Sequence, residues 1–95
     1  MNKYEIMFIV KSDMEESTIN QTVDALKKVL TDNSAKIIEE KKLGQKDLAY
    51  EIQKYKTGYY FLFIVEAEAN AIDEFNRIVG INESVLRHLV VKVED

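Results

Sequence analysis

The sequence predicts an α+β domain in which two helices cover one face of a four-stranded antiparallel sheet. Three observations carry that prediction. Stretches with alternating apolar residues are interleaved with stretches whose apolar residues recur at helical spacing, in the order strand, helix, strand, strand, helix, strand. The segment Tyr59–Ala67 is apolar on both parities through Val65, the mark of a central strand covered on both faces. The 95 residues suffice for one domain but not two, and no proline breaks an element from inside.

The first strand is read over Lys3–Val10, with Tyr4, Ile6, Phe8 and Val10 on one parity and Glu5, Met7 and Ile9 on the other. Ser12-Asp13-Met14-Glu15-Glu16 then starts a helix, with Asp13 and Glu16 at capping-box spacing. Ile19, Val23, Leu26 and Leu30 form its apolar stripe, widened by Val29. Thr31-Asp32-Asn33-Ser34 ends it in turn-forming residues. Ala35–Gln53 is read as one long strand that bends at Gly44 and overhangs the sheet, because a glycine inside a strand pattern marks a bulge. Lys54–Gly58 is expected to be a short basic turn before the strand Tyr59–Ala67. Asn70 is expected to cap the second helix, whose stripe is Ile72, Phe75, Ile78 and Val79, with Gly80 as its left-handed C-cap. Asn82-Glu83-Ser84 turns the chain into the last strand, Val85–Val93, whose facing is ambiguous because both parities carry aliphatics.

The order β-α-β-β-α-β is the split, ferredoxin-like arrangement, here a single domain over residues 1–95. Right-handed crossovers put both helices on one face and make the first and third strands central, leaving the other face open.

Composition narrows the function. Of the residues, 46% are hydrophobic and 32% charged, an ordinary globular balance. Without cysteine, there are no disulfides, thiolate metal sites or thiol nucleophiles. The start Met1-Asn2-Lys3 leads into a strand pattern, not a signal peptide, and the longest apolar run, Tyr59–Val65, is far short of the ~20 residues that span a bilayer. His88 is the only histidine, so no zinc ligand set is assembled around it. Serines 12, 17, 34 and 84 sit near element boundaries, and the carboxylate pairs Glu15-Glu16 and Asp73-Glu74 fall in first helical turns, where the helix dipole explains them. The three glycines are dispersed, so no phosphate-cradling loop forms. The sequence therefore offers no catalytic constellation and no site for a cofactor, a metal or a small-molecule substrate.

Two features point to binding. Met7 and Ile9 on the first strand should adjoin Tyr60, Leu62 and Ile64 on the third, giving the open face an apolar strip suited to a partner protein. Cations Lys54, Lys56, Arg87, Lys92 and Lys3 recur beside tyrosines 4, 55 and 59, as a rim that could contact phosphates. With 13 basic against 17 acidic residues, net charge −4, nucleic-acid contact would need such a local patch or a basic partner.

The string Gly44-Gln45-Lys46-Asp47-Leu48-Ala49-Tyr50-Glu51-Ile52 resembles the signature of the bacterial small-subunit ribosomal protein six family. The opening Tyr4-Glu5-Ile6-Met7, the Gly58-Tyr59-Tyr60 segment and the ending Val90-Val91-Lys92 also match, so the resemblance covers essentially the whole chain. It implies a structural component of the ribosome, in the cytoplasm, that binds the central domain of small-subunit ribosomal RNA together with small-subunit protein eighteen, a basic partner. Arg87 and Lys54 match basic positions in relatives. Asn2 stands where many relatives carry a basic residue, and the sequence ends at Glu94-Asp95 where many carry a charged tail.

Two other readings use the same topology. Thr57–Phe63 faintly echoes the third-strand motif of RNA-recognition motifs, which would require Tyr59 and Phe61 on the open face for base stacking. The other is a small-molecule or regulatory domain of the ferredoxin-like class, or an acylphosphatase-like enzyme, which would need an arginine in a phosphate loop after the first strand, where this chain has Lys11-Ser12-Asp13.

Overall fold

The computed structural model describes residues 1–93; Glu94 and Asp95, which stand where many relatives carry a charged tail, lie outside the described residues. Alternation in β1 (Asn2–Lys11) sets the layers: Tyr4, Ile6, Phe8 and Val10 are buried beneath the helices, while Met7 and Ile9 turn to the other face. The elements that follow are α1 (Glu16–Asp32), β2 (Lys36–Ile52), β3 (Tyr55–Ala67), α2 (Ala69–Ile81) and β4 (Val85–Val93). All pairings are antiparallel and the sheet order is β2-β3-β1-β4, which makes β1 and β3 central as the crossover rule requires.

The core lies between sheet and helices. Ile19, Val23, Leu26 and Leu30 of α1 and Ala71, Ile72, Phe75 and Val79 of α2 meet the buried parity of β1 and β3. Phe8 stacks on Phe61 at 5.2 Å between centroids and meets Phe63 edge-on at 5.1 Å, the two arrangements favoured by the ring quadrupole. Phe61 is only 4% exposed, and Tyr59 packs against the same core. The aromatics that an RNA-recognition motif would display are thus turned inward.

Helix starts differ from the sequence expectation. Glu15, not Asp13, occupies the α1 N-cap and makes no side-chain cap. Asp13 is drawn elsewhere: its carboxylate accepts a hydrogen bond from the Tyr55 hydroxyl at 2.8 Å. α2 begins two residues earlier than expected, with Glu68 at the N-cap and Asn70 already helical. Gly80 also lies within α2, and only Gly44 among the glycines has a positive φ, so Asn82 and not Gly80 closes the helix. The Asn82 side chain then accepts from the Ser84 amide at 2.9 Å, turning the chain into β4.

β2 is one long strand, as its pattern suggests, but it leaves the regular ladder three times, between Ile37 and Glu39, Lys42 and Gly44, and Asp47 and Ile52. Gly44 takes φ +86° at the second irregularity, the conformation that glycine supplies at a bulge. The turn into β3 is not the basic segment Lys54–Gly58. It is the two-residue turn Gln53-Lys54, with φ of 49° and 70°, closing the pair Ile52–Tyr55. Two positive φ values in a two-residue hairpin define the primed turn whose twist suits antiparallel strands. Lys56 and Gly58 accordingly belong to β3.

Candidate protein and nucleic-acid interface

Directly paired residues in an antiparallel sheet share a face. Met7 pairs with Leu62 and Ile9 with Tyr60, while Ile64 lies opposite Glu5, so the five residues expected to form the apolar strip do lie together on the face away from the helices. β4 extends the strip. Met7 also pairs with Leu89, and Glu5 with Val91, which are 57% and 46% exposed. Sequence reasoning missed these two because β4 is aliphatic on both parities. The pairing settles the facing: Arg87, Leu89 and Val91 join the open face opposite Ile9, Met7 and Glu5, Val90 packs against the core, and the register shift between Ile9 and Val10 lets Val85 be buried together with Leu86.

A groove of about 320 Å³, lined by Met7, Ile9, Tyr60, Arg87, His88 and Leu89, runs along this face. His88 itself sits on the helix side of the strand, paired with buried Phe8, and lies 3.2 Å from the Asn76 side chain of α2. Partial burial holds its imidazole pKa below the usual value.

The cations expected to form one rim fall into two groups. Lys54 and Lys56 lie at the β2–β3 hairpin, and Arg87 is near the same end, opposite Ile9. Lys3 and Lys92 lie at the other end of the sheet, about 20 Å away along β1 at ~3.3 Å per residue. They do not share a face: Lys3 shares the parity of Met7, whereas Lys92 pairs with core-facing Tyr4. The linear sequence conceals this split because antiparallel reversals decide which chain positions meet. Among the described residues, ion pairs engage Lys27, Lys41, Arg77 and the N-terminal amine, but none of these five cations.

The hairpin end also mixes cations with aromatic rings. The Arg87 guanidinium lies 5.4 Å from the Tyr50 ring centroid, Lys46 Nζ 5.9 Å from that of Tyr60, and Lys11 Nζ 5.7 Å from that of Tyr55. These contacts give the signature segment a physical content. Gly44 permits the bulge, Lys46 and Tyr50 supply two of the ring–cation pairs, and Ile52 closes the hairpin. The loop after β1 is likewise occupied by structural contacts. Lys11 lies over Tyr55, the Ser12 hydroxyl is 3.0 Å from that of Thr57, and Asp13 holds the Tyr55 hydroxyl. That is a set of braces between β1 and β3, with no arginine for a phosphate loop.

A split β-α-β sheet with one face covered by helices, the other apolar and cations at its ends defines a ferredoxin-like α+β domain with an open sheet face. A family profile described as Ribosomal protein S6 matches residues 3–92. The chain is 48% identical over 94 residues to the small ribosomal subunit protein bS6 of Shouchella clausii, covering 99% of each chain. It is 43% identical over 95 residues to that of Halalkalibacterium halodurans, covering both chains completely. The crystal structure of 30S ribosomal protein S6 from Thermotoga maritima superposes with a TM-score of 0.92 at 22% identity, over 97% of this chain and 87% of that one. The chain belongs to the ribosomal protein S6 family, a structural family of the small ribosomal subunit, and is therefore a ribosomal protein of the cytoplasm.

Proposed function

We propose that this protein binds the central domain of small-subunit ribosomal RNA together with small-subunit protein eighteen. The observation that carries the reading is the junction, on one open face, of a continuous apolar strip with Arg87 and the neighbouring hairpin cations. The strip of Met7, Ile9, Tyr60, Leu62 and Ile64, extended by Leu89 and Val91, is the partner surface. Lys54, Lys56 and Arg87 form the principal phosphate contact, and Lys3 and Lys92, on opposite faces of the far end, make separate ones. A basic partner also accounts for an RNA-associated chain of charge −4. The protein's role in this reading is architectural, with no catalytic step.

The test is a titration of central-domain RNA across salt concentrations, with and without the partner. Binding tightens when the partner is present. Arg87→Ala, Lys54→Ala and Lys56→Ala each reduce the slope of log K against log salt by about one unit. Equal affinity with and without the partner would refute the cooperative part, and unchanged slopes would remove these residues from the RNA contact.

A further inference from the structure

We propose that Tyr50 is a positioning residue for RNA binding, holding the Arg87 guanidinium over its ring so that the N–H donors remain free for a phosphate. The inference rests on the reading of Arg87 as an RNA contact and extends it to a residue on a different strand.

Between the pairs Asp47–Thr57 and Ile52–Tyr55, β2 carries more residues than β3 does, and the surplus swells out of the ladder. This swelling brings Tyr50 of β2, at one sheet edge, to Arg87 of β4, at the other, with 5.4 Å between guanidinium carbon and ring centroid. Leu48, in the same swelling, lies close to Gly58 of β3, within 3.7 Å of where a Cβ would stand. The arch is therefore seated on the sheet beside the residue that holds the arginine.

Tyr50 is 57% exposed, so core packing does not explain an aromatic ring there. Its contact is with the cation. A cation–π contact engages the guanidinium's charge without using a hydrogen-bond acceptor, so its N–H donors stay available for paired hydrogen bonds to phosphate oxygens. Among the described residues no carboxylate pairs with Arg87 to compete for those donors. Without the ring, a long side chain on an edge strand would have to be ordered at the moment of binding.

The experiment measures affinity for central-domain RNA, in the presence of the partner, for Tyr50→Leu, Tyr50→Phe, Arg87→Ala and the double variant Tyr50→Leu/Arg87→Ala. Thermal melts accompany each to confirm the fold. Tyr50→Leu should bind about two- to fivefold more weakly, the range expected of an exposed cation–π contact. Tyr50→Phe, which keeps the ring, should bind as the parent does. In the Arg87→Ala background Tyr50→Leu should cost nothing further, because there is no cation left to position. Parental affinity for Tyr50→Leu, or an equal loss in both backgrounds, overturns the proposal while leaving Arg87 as an RNA contact. Parental affinity and salt slope for Arg87→Ala remove that contact, and the positioning role with it.

Discussion

An alanine at position 58 would place its Cβ 2.4 Å from Ile9 Cγ2 and 3.3 Å from the Val10 carbonyl oxygen. The Ile9 methyl is β-branched and stiff, and the carbonyl belongs to a central strand, so neither can yield cheaply. Gly58→Ala should therefore destabilise the protein by about 1–3 kcal/mol, as overpacking does. Gly80 presents the opposite case. It lies in a helix, is exposed, and a Cβ there meets nothing within 4 Å. Gly80→Ala should stabilise through helix propensity, by less than the ~1 kcal/mol of a helix interior because only Ile81 follows it in the helix. Denaturant melts of the two variants check both signs, and a common direction would contradict this account. Only one of the three glycines was legible from sequence. Gly44 interrupts an otherwise strand-like stretch, and there it forms the bulge with φ +86°. Gly58 followed two lysines and read as a turn, because its real requirement, the approach of Ile9 from a neighbouring strand, has no local signal. Gly80 read as a C-cap because it follows the apolar stripe, although the helix continues past it to Ile81.

At the scale of elements, apolar periodicity identified every strand and helix, whereas their ends were set by tertiary partners. Asp13 had the spacing of a cap yet bonds Tyr55 across the sheet. The Gln53-Lys54 turn carries none of the Asn-Gly or Asp-Gly chemistry that announces a primed turn, so the hairpin was placed too late in the chain. β4 was ambiguous for a different reason: its pairing register with β1 decides which of its aliphatics are buried. That decision has a measurable consequence at His88. Its neutral form is favoured by burial, so its folded pKa lies below that of the unfolded chain. Above pH ~7 the imidazole is neutral in both states and contributes nothing to the pH dependence. As pH falls through the unfolded value, the unfolded chain takes up the proton first, and stability declines. Thermal melts between pH 7.5 and 5.5 should show this decline in the parent and a flatter profile in His88→Gln. A parent profile no steeper than the variant's would mean that His88 is not held neutral.

Over the whole molecule, the covered and open faces of one sheet divide the labour. The helix side holds the fold together through the phenylalanine cluster and the apolar stripes, and the open side leaves Leu89 and Val91 more than 40% exposed beside Met7, Ile9, Tyr60, Leu62 and Ile64. The strip was legible because alternation fixes which residues share a face, but its width was not, since that required the register of β4. If the strip is the docking surface, a charge placed in it should block the partner without unfolding the chain. Leu89 is the position to use, because at 57% exposure it contributes little to the core while pairing directly with Met7. Leu89→Asp should weaken the partner complex by about 2 kcal/mol or more, the loss typical of a central interface contact, and remove the partner-dependent gain in RNA affinity. Ile81→Asp is the matched control: this isoleucine is 70% exposed at the end of α2, within the helix layer. It receives the same charge at an equally apolar surface site and should leave the complex intact. Isothermal titration with the partner separates the cases. Equal weakening by both substitutions would trace the effect to net charge, and no weakening by Leu89→Asp would place the partner elsewhere than on the open sheet.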